Sequence, residues 1–188
     1  LKPAVDTAKY RNRLFALPVY SDGGLLYYRK DLLDAAGVQP PKTWPELLAA
    51  CQKVKALPEG ANVGCYAGQF EKYEGLTVNF AEAVQSAGGS IVDDSGAPVV
   101  NSAQAKTGLD TLVQAFQGGL IPRGAITYTE EEGRRAVQAG ELLFHRNWPY
   151  VWARANQTDG SSQVAGKFDV APLPGASGPG SSSLGGHN

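Results

Sequence analysis

The sequence predicts an α/β fold, because segments with the pattern of strands alternate along the chain with segments that have the pattern of helices. Of its 188 residues, 43% are hydrophobic and 19% are charged, so the chain can bury a core. The 23 glycines mark many turns and helix ends. Together these features predict a loop-rich globular protein of about one or two domains.

The first half of the chain contains three predicted strands and three predicted helices. A Ser-Asp-Gly-Gly turn separates the first two strands, and Gly37 ends the first helix. The strands are expected at 14–20, 25–29 and 62–66, and the helices at 31–36, 44–57 and 74–87.

The helix at 44–57 has the clearest start signal. Thr43 and Glu46 form the pattern of a capping box, with Pro45 in the first turn, where proline is tolerated. Helical spacing predicts that this helix buries Leu47, Leu48, Cys51 and Val54.

The second half begins with a predicted hairpin, in which residues 90–92 and 98–100 flank the turn 93–96. Ser102 caps the next helix, and Thr129 caps a later one whose first-turn glutamates suit the helix dipole. These helices are expected at 103–117, 130–139 and 148–156, the strands at 141–146 and 167–173, and polar or flexible loops at 158–166 and 174–183. The first of them is expected to bury Leu109, Leu112, Val113 and Phe116.

Composition excludes several classes of function. The net charge is −1, whereas a nucleic-acid-binding protein shows a basic face. No apolar run approaches the ~18 residues that a membrane-spanning helix needs. The chain lacks a starting methionine and a signal-peptide pattern, so we expect a piece of a longer protein.

Cys51 and Cys65 are the two cysteines. With no second cysteine pair and no neighbouring histidine, a zinc site is not expected. The two remain either buried free thiols or, in a chain that lives outside the cytoplasm, one disulfide. In either case we expect the helix and the strand that carry them to pack side by side.

Sequence motifs of enzymes are missing. The chain contains no GxSxG, HExxH or GxGxxG pattern, and residues 160–168 miss the phosphate-loop spacing. His145 lies in an apolar strand, as expected of a structural histidine. The sequence therefore predicts no cofactor, no metal and no catalytic group.

Aromatic and acidic residues at the ends of elements are the remaining candidates. Asp22 lies in a predicted Gly-flanked turn, Glu71 and Tyr73 precede a helix, Glu130 begins one, and Trp148 and Tyr150 flank a proline at a strand-to-helix junction. Carboxylates accept hydrogen bonds from hydroxyls, and aromatic faces cover the C–H patches of a sugar ring. This mixture suits a carbohydrate, although each residue also has a purely structural interpretation.

Five motifs, in order, resemble the extracellular solute-binding proteins of ABC sugar importers. Two of them, residues 73–80 and 146–152, resemble the maltose/trehalose branch of that family. The others are residues 17–33, 41–47 and 168–174, the last followed by Leu184-Gly185-Gly186.

The resemblance implies a type II periplasmic-binding-protein fold of two α/β lobes that close on a sugar. Residues 1–18 would end an N-lobe segment at the hinge, residues 19–166 would form the C-lobe, and residues 167–188 would return through the hinge into the N-lobe. Such a protein is monomeric, binds an oligosaccharide and delivers it to the permease subunits of an ABC importer. It is extracytoplasmic, in the periplasm or as a cell-surface lipoprotein, with its signal sequence outside this chain.

The resemblance also suggests ligand contacts at matching positions. Glu130 has Glu131 as an alternative one residue away, and Gly185 and Gly186 would offer backbone groups. His187 stands where several relatives carry tryptophan. The expected ligand contacts are Asp22, Tyr73, Glu130, Trp148, Tyr150, Gly186 and His187.

The expected function is therefore binding of a disaccharide or short α-glucoside by hinge closure, without catalysis. One alternative is a glycoside hydrolase with Asp22 and Glu130 as acid and base, whose carboxyl groups would lie ~5–9.5 Å apart. A structural or interaction domain is the third interpretation.

Overall fold

The structure of the protein is a computed structural model that describes residues 2–187, apart from the side chain of His187. Two short 3₁₀ turns, Pro58–Gly60 and Arg123–Thr127, join longer elements. The described α-helices are α1 (Lys2–Thr7), α2 (Lys30–Ala35), α3 (Trp44–Lys55), α4 (Glu74–Ser86), α5 (Ala103–Gln117), α6 (Glu130–Gln138) and α7 (Tyr150–Ala155). None of them is long and apolar enough to span a membrane.

Strands of the described chain form one four-stranded sheet and two short ladders. They are β1 (Lys9–Tyr10), β2 (Arg13–Leu14), β3 (Tyr20–Gly23), β4 (Leu25–Arg29), β5 (Gly64–Ala67), β6 (Leu142–Asn147), β7 (Phe168–Ala171) and β8 (Leu184–His187). The main sheet has the order β5-β6-β4-β7, and β1–β2 and β3–β8 form the ladders. Only β5 and β6 pair in parallel among the described strands, so the α/β sheet is mixed rather than mainly parallel.

Caps begin the helices where the sequence predicts them. The Thr43 side chain accepts a hydrogen bond from the Glu46 amide at 3.3 Å, and Ser102 accepts one from the Ala105 amide at 3.2 Å. Thr129 and Glu132 form a capping box at the start of α6. The expected helices at 44–57, 103–117 and 130–139 are confirmed to within two residues at each end.

The central strand β6 is buried along its whole length. Helix α6 packs against it, and α4 packs against α5. Apolar side chains from β4, β6, α3 and α5 join in one core, which includes Leu26, Phe144, Leu47 and Leu112. Because both of its faces are covered, β6 shows no alternation of apolar and polar residues: an apolar run at 142–144 is followed by three buried polar residues.

The predicted strand at 14–20 and the turn after it are wrong. Residues 15–19 have no regular structure, and Leu17 and Val19 are 72% and 78% exposed. The chain instead enters β3 at Tyr20, and Asp22 lies within β3 opposite Gly185 rather than in a turn. The partner strand lies more than 160 residues away along the chain, so no local pattern could indicate this pairing.

The predicted hairpin at 90–100 is confirmed as a turn closed by an antiparallel bridge, although its two arms do not extend into strands. One bridge pairs Val92 with Pro98, and two backbone hydrogen bonds of 2.9 Å between the arms flank it. Proline has no amide hydrogen to extend a ladder. The Asp93 side chain organises a turn by accepting hydrogen bonds from the amides of Ser95 and Ala97, each at 2.9 Å.

Three predicted core residues are exposed: Leu48 by 44%, Leu109 by 47% and Val113 by 40%. Each lies one position away from the buried stripe of its helix. In α5 this stripe carries small residues because α4 packs closely. A Cβ atom at Gly108 would lie 2.7 Å from the Val84 amide nitrogen. The stripes consist of Leu47, Ala50, Cys51 and Val54 in α3, and of Ala105, Gly108, Leu112 and Ala115 in α5.

A disulfide joins Cys51 of α3 to Cys65 of β5, with Cα atoms 5.7 Å apart. The expected proximity is confirmed. Of the two alternatives left open by the sequence, the structure shows the disulfide and not two free thiols. Both residues are buried in the core, at 3% and 2% exposure. The bond therefore attaches α3 to the edge strand of the main sheet.

Replacing both cysteines by alanine should lower the free energy of unfolding by ~3 kcal/mol, because the bond closes a loop of about 15 residues in the unfolded chain. Urea unfolding measures this change. Dithiothreitol should lower the stability of the unmodified protein and leave that of the double variant unchanged. Equal stabilities without reductant would show that the bond contributes nothing.

Candidate functional site

A cleft of about 350 Å³ lies between β3, β8, the start of α4 and the junction of β6 with α7. The structure brings four of the predicted ligand contacts to this cleft. It is lined by Tyr20, Asp22, Glu74, Val78, Trp148, Tyr150, Leu184, Gly185 and Gly186. A more open groove of about 450 Å³ near the start of α3 contains none of the predicted residues.

The other three predicted contacts, Tyr73, Glu130 and His187, are not among the described residues that line the cleft. Glu130 accepts hydrogen bonds from both Tyr73 and Trp148. The backbone of His187 pairs with Tyr20 at the end of β8, and its side chain lies outside the described residues.

Trp148 is fixed by its backbone at the end of β6. Its amide donates to the side-chain oxygen of Asn147 at 2.8 Å, and its carbonyl accepts from the Tyr27 hydroxyl at 3.0 Å. Asn147 is buried and also donates to the Glu130 carbonyl at 3.0 Å. The backbone just before α7 therefore has a defined position before any ligand binds.

The Trp148 ring is held on three sides. Its Nε1 donates to Glu130 Oε1 at 3.2 Å, and the guanidinium carbon of Arg146 lies 3.9 Å from the ring centroid. Gly185 approaches the ring so closely that a Cβ atom there would lie 2.8 Å from Cζ3. Because Arg146 covers one face, a ligand that stacks on Trp148 would use the opposite face.

Two tyrosines donate to neighbouring glutamates. The Tyr73 hydroxyl donates to Glu130 Oε2 at 2.7 Å, and the Tyr150 hydroxyl donates to Glu131 Oε1 at 2.7 Å. Burial, together with these hydrogen bonds, raises the pKa of both phenols above the usual range. Both tyrosines are therefore neutral donors at physiological pH.

Hydrogen bonds lower the pKa of Glu131, the one from Arg134 most strongly and the one from Tyr150 next, so this acid is ionised. Glu130 and Glu131, which the sequence left as alternatives for one role, thus have different partners. Glu130 orients Tyr73 and Trp148, whereas Glu131 orients Tyr150.

Asp22 is half-exposed on the cleft wall. Its carboxylate accepts no hydrogen bond from a described side chain, so both oxygens can accept one from a ligand. Glu74 also lines the cleft, whereas the described lining includes no lysine or arginine. Such a wall suits a neutral hydroxylated solute and disfavours an anion.

A buried polar network behind the cleft was not predicted. Arg146 and Glu82 form a two-point ion pair, with Nε–Oε2 at 2.8 Å and Nη2–Oε1 at 2.6 Å. Gln69 accepts from Arg146 Nη1 at 3.1 Å and donates to the Arg146 carbonyl at 2.9 Å. Asn79 donates to Gln69 at 3.2 Å. The one available signal was a charged residue in a predicted strand that begins with the apolar run at 142–144.

His145 is confirmed as a structural residue. Its Nδ1 lies 2.9 Å from the Ala67 carbonyl oxygen, and its Nε2 lies 2.8 Å from the side-chain nitrogen Nδ2 of Asn147. A neutral ring that carries its proton on Nδ1 satisfies both contacts. Burial lowers the pKa of His145 from 6.5 to about 4, and Arg146 also lowers it.

The described residues contain no group of three or more His, Cys, Asp or Glu side chains placed to hold a metal ion. The site thus offers one aromatic face, neutral phenols, a free carboxylate and backbone groups of β8. This set can bind a polar, uncharged ligand that has an apolar face.

Comparison with known proteins shows similarity to solute-binding proteins. Residues 1–187 match the family described as bacterial extracellular solute-binding protein. A probable ABC transporter-binding protein of Deinococcus radiodurans is 46% identical over 173 residues. The match covers 89% of this chain and 40% of that protein.

Solved structures share the fold. Maltose-bound MalE3 of T. maritima matches with a TM-score of 0.89 and 39% identity, over 99% of this chain and 47% of that one. A solute-binding protein of Thermotoga lettingae bound with α-D-tagatose matches with a TM-score of 0.81 and 26% identity, over 97% and 46%. The chain therefore spans less than half the length of these relatives, and it shares their periplasmic-binding-protein fold.

Substituting Gly185 by alanine should displace the Trp148 ring, because the added Cβ atom has no room. Overpacking of this kind costs about 1–3 kcal/mol. The near-ultraviolet circular dichroism of tryptophan should change together with the free energy of unfolding. Gly178→Ala is the matched control, since a Cβ atom there meets nothing within 4 Å. Identical spectra for both variants would contradict the close contact.

Acidification should destabilise the protein through His145. Its pKa is lower in the folded than in the unfolded state, so the unfolded state binds the proton more readily. Stability is therefore full above pH 6.5 and is lost as the pH falls from 6.5 towards 4.

Between pH 8 and pH 5 the loss should be about 2 kcal/mol. Urea unfolding at both pH values measures it. His145→Gln should remove this dependence, whereas replacement of the second histidine, in His187→Gln, should preserve it. A pH dependence that survives in His145→Gln would assign it to other groups.

Proposed function

The chain belongs to the bacterial extracellular solute-binding protein family, and we propose that it forms most of one lobe of a carbohydrate receptor. In this proposal the sugar binds in the cleft beside Trp148 and Asp22, and a second lobe closes over it. Residues 1–18 end an N-lobe segment, residues 19–166 form the C-lobe, and residues 167–188 return through the hinge.

The observation that carries the proposal is the fixed Trp148 ring at the cleft. An aromatic ring that is ordered before binding loses little entropy when a ligand arrives. The face of the Trp148 ring opposite Arg146 is the one that would contact the C–H patch of a pyranose ring. Asp22 stands on the same cleft and can accept hydrogen bonds from sugar hydroxyls.

The proposed ligand class is a disaccharide or a short α-glucoside of the maltose or trehalose type. An uncharged ligand is favoured because carboxylates line the cleft and the nearest buried cation, Arg146, is already paired with Glu82. The relative bound with maltose is 39% identical, whereas the tagatose-bound relative is 26% identical. These comparisons support a sugar as the ligand, and the glucoside is the class that we propose.

The receptor is proposed to work by binding and closure, with no bond made or broken in the sugar. Its partners would be the permease subunits of an ABC importer, and the protein itself would be a monomer. An extracytoplasmic location, in the periplasm or as a surface lipoprotein, is consistent with a disulfide, since such bonds persist in oxidising compartments.

Trp148→Ala should abolish sugar binding and leave most of the fold intact. The experiment is calorimetric titration with maltose, trehalose and longer α-glucans, using the native protein that contains these residues. Loss of stacking and of the ordered wall should weaken binding by about a hundredfold or more, which corresponds to ~2.8 kcal/mol.

Trp152→Ala is the matched control, because Trp152 is also partly exposed on α7 and packs on Phe168 away from the cleft. This variant should bind sugar normally. Equal affinities of the two variants would contradict the proposal, and release of glucose during the titration would indicate a glycoside hydrolase instead. If no sugar binds or stabilises the unmodified protein, a structural or interaction domain is the better interpretation.

A further inference from the structure

We propose that Arg146 is a positioning residue, which holds the Trp148 ring in the cleft and couples the ring to the return segment, defined as residues 182–185. Glu82 provides that coupling. The inference deepens the proposed function and rests on it, because its effect on binding depends on a ligand that stacks on Trp148.

The first step is that burial and hydrogen bonds hold the guanidinium of Arg146 in place. Arg146 and Glu82 side chains are only 1% and 6% exposed. Three of the Arg146 nitrogens donate, two to Glu82 and one to Gln69. A Cβ atom at Gly24 would lie 2.7 Å from Nη2, so the guanidinium also packs closely against the Gly24 backbone.

The second step is that this fixed plane defines the position of the Trp148 ring. The guanidinium carbon lies 3.9 Å from the ring centroid, which is contact distance. Stacked arginine is attracted by the electrons of an aromatic face, and more strongly when both groups are shielded from water. Arg146 therefore fixes which face of Trp148 a ligand can use.

The third step connects this stack to the return segment. Glu82 Oε1, which receives Arg146 Nη2, also accepts from the Ser183 amide at 2.9 Å. Ser182 accepts from the Gly24 amide, and Gly185 contacts the Trp148 ring directly. A shift of the return segment would therefore act on Trp148 twice, directly through Gly185 and indirectly through Glu82 and Arg146.

Stability alone does not explain such a pair. A buried ion pair can often be replaced by apolar residues without loss of stability, whereas removal of one partner leaves an unpaired buried charge. The pair gives a defined geometry that an apolar pair would not, because two hydrogen bonds fix the guanidinium plane. A role in positioning thus predicts an effect on binding even where stability is preserved.

The test uses the double variant Glu82→Gln/Arg146→Met in the native protein that contains these residues. The glutamine substitution keeps an oxygen for the Ser183 amide, and the methionine substitution removes the cation from beneath the ring. Arg146→Lys is the milder second variant, because it keeps the charge and loses the planar stack. Asp31→Asn/Arg29→Met is the matched control, since it removes another ion pair, whose groups are 2.6 Å apart.

Two readouts are needed. The first is the indole N–H resonance of Trp148 in nitrogen-15 spectra, assigned with Trp148→Phe, which reports the ring position without any ligand. The second is the dissociation constant for maltose and trehalose. We expect both Arg146 variants to move the resonance and to weaken binding by about tenfold, while the control changes neither.

An unmoved indole resonance in a folded Arg146 variant would overturn the inference, whatever happens to binding. A moved resonance with unchanged affinity would overturn the link between ring position and binding. If the unmodified protein binds no sugar but the resonance still moves, the proposed function fails and the positioning of Trp148 by Arg146 stands. If the double variant does not fold, the same comparisons apply to Arg146→Lys.

Discussion

The buried ion pair between Arg146 and Glu82 is the interaction on which the rest of the cleft depends. A charge that is removed from water must be paired and hydrogen-bonded, so the two side chains restrict everything around them. The pair joins β6 to α4 and, through the Ser183 amide, to the return segment that leads into β8. Gln69 and Asn79 extend the network towards the start of α4.

This network explains how an exposed cleft can present an ordered aromatic wall. The backbone of Trp148 is held by Asn147 and Tyr27, its indole nitrogen by Glu130, and one of its faces by Arg146. The remaining face is the part of the ring that can contact a ligand. Because the wall is already formed, the free energy of ligand contact would not be spent on ordering it.

Local signals were sufficient for much of the fold. Caps such as Thr43 and Ser102 and the helical spacing of Leu47, Cys51 and Val54 predicted α3 and α5 correctly. Prediction from local sequence patterns failed where contacts between residues distant in the sequence determine the structure. The pairing of β3 with β8 replaced the expected turn at Asp22, and Leu48 and Val113 are exposed because each lies one position beside the buried stripe of its helix.

The site shows the same division. Residue type and position drew attention to Asp22, Trp148 and Tyr150, which meet at the cleft. Arg146 and Glu82 were missed because their partnership joins positions 64 residues apart in sequence. The position of Arg146 in the buried strand β6 indicated that it needs an acidic partner, but no local rule could identify which acid that is.

A crystal structure of the native protein that contains these residues, with a bound α-glucoside, tests the central claim most directly. The account predicts that a sugar ring lies on the Trp148 face opposite Arg146 and that a sugar hydroxyl donates to Asp22. The Arg146–Glu82 pair should remain intact beneath it. A sugar bound away from this cleft, or a Trp148 ring that has left the Arg146 guanidinium, would contradict the account.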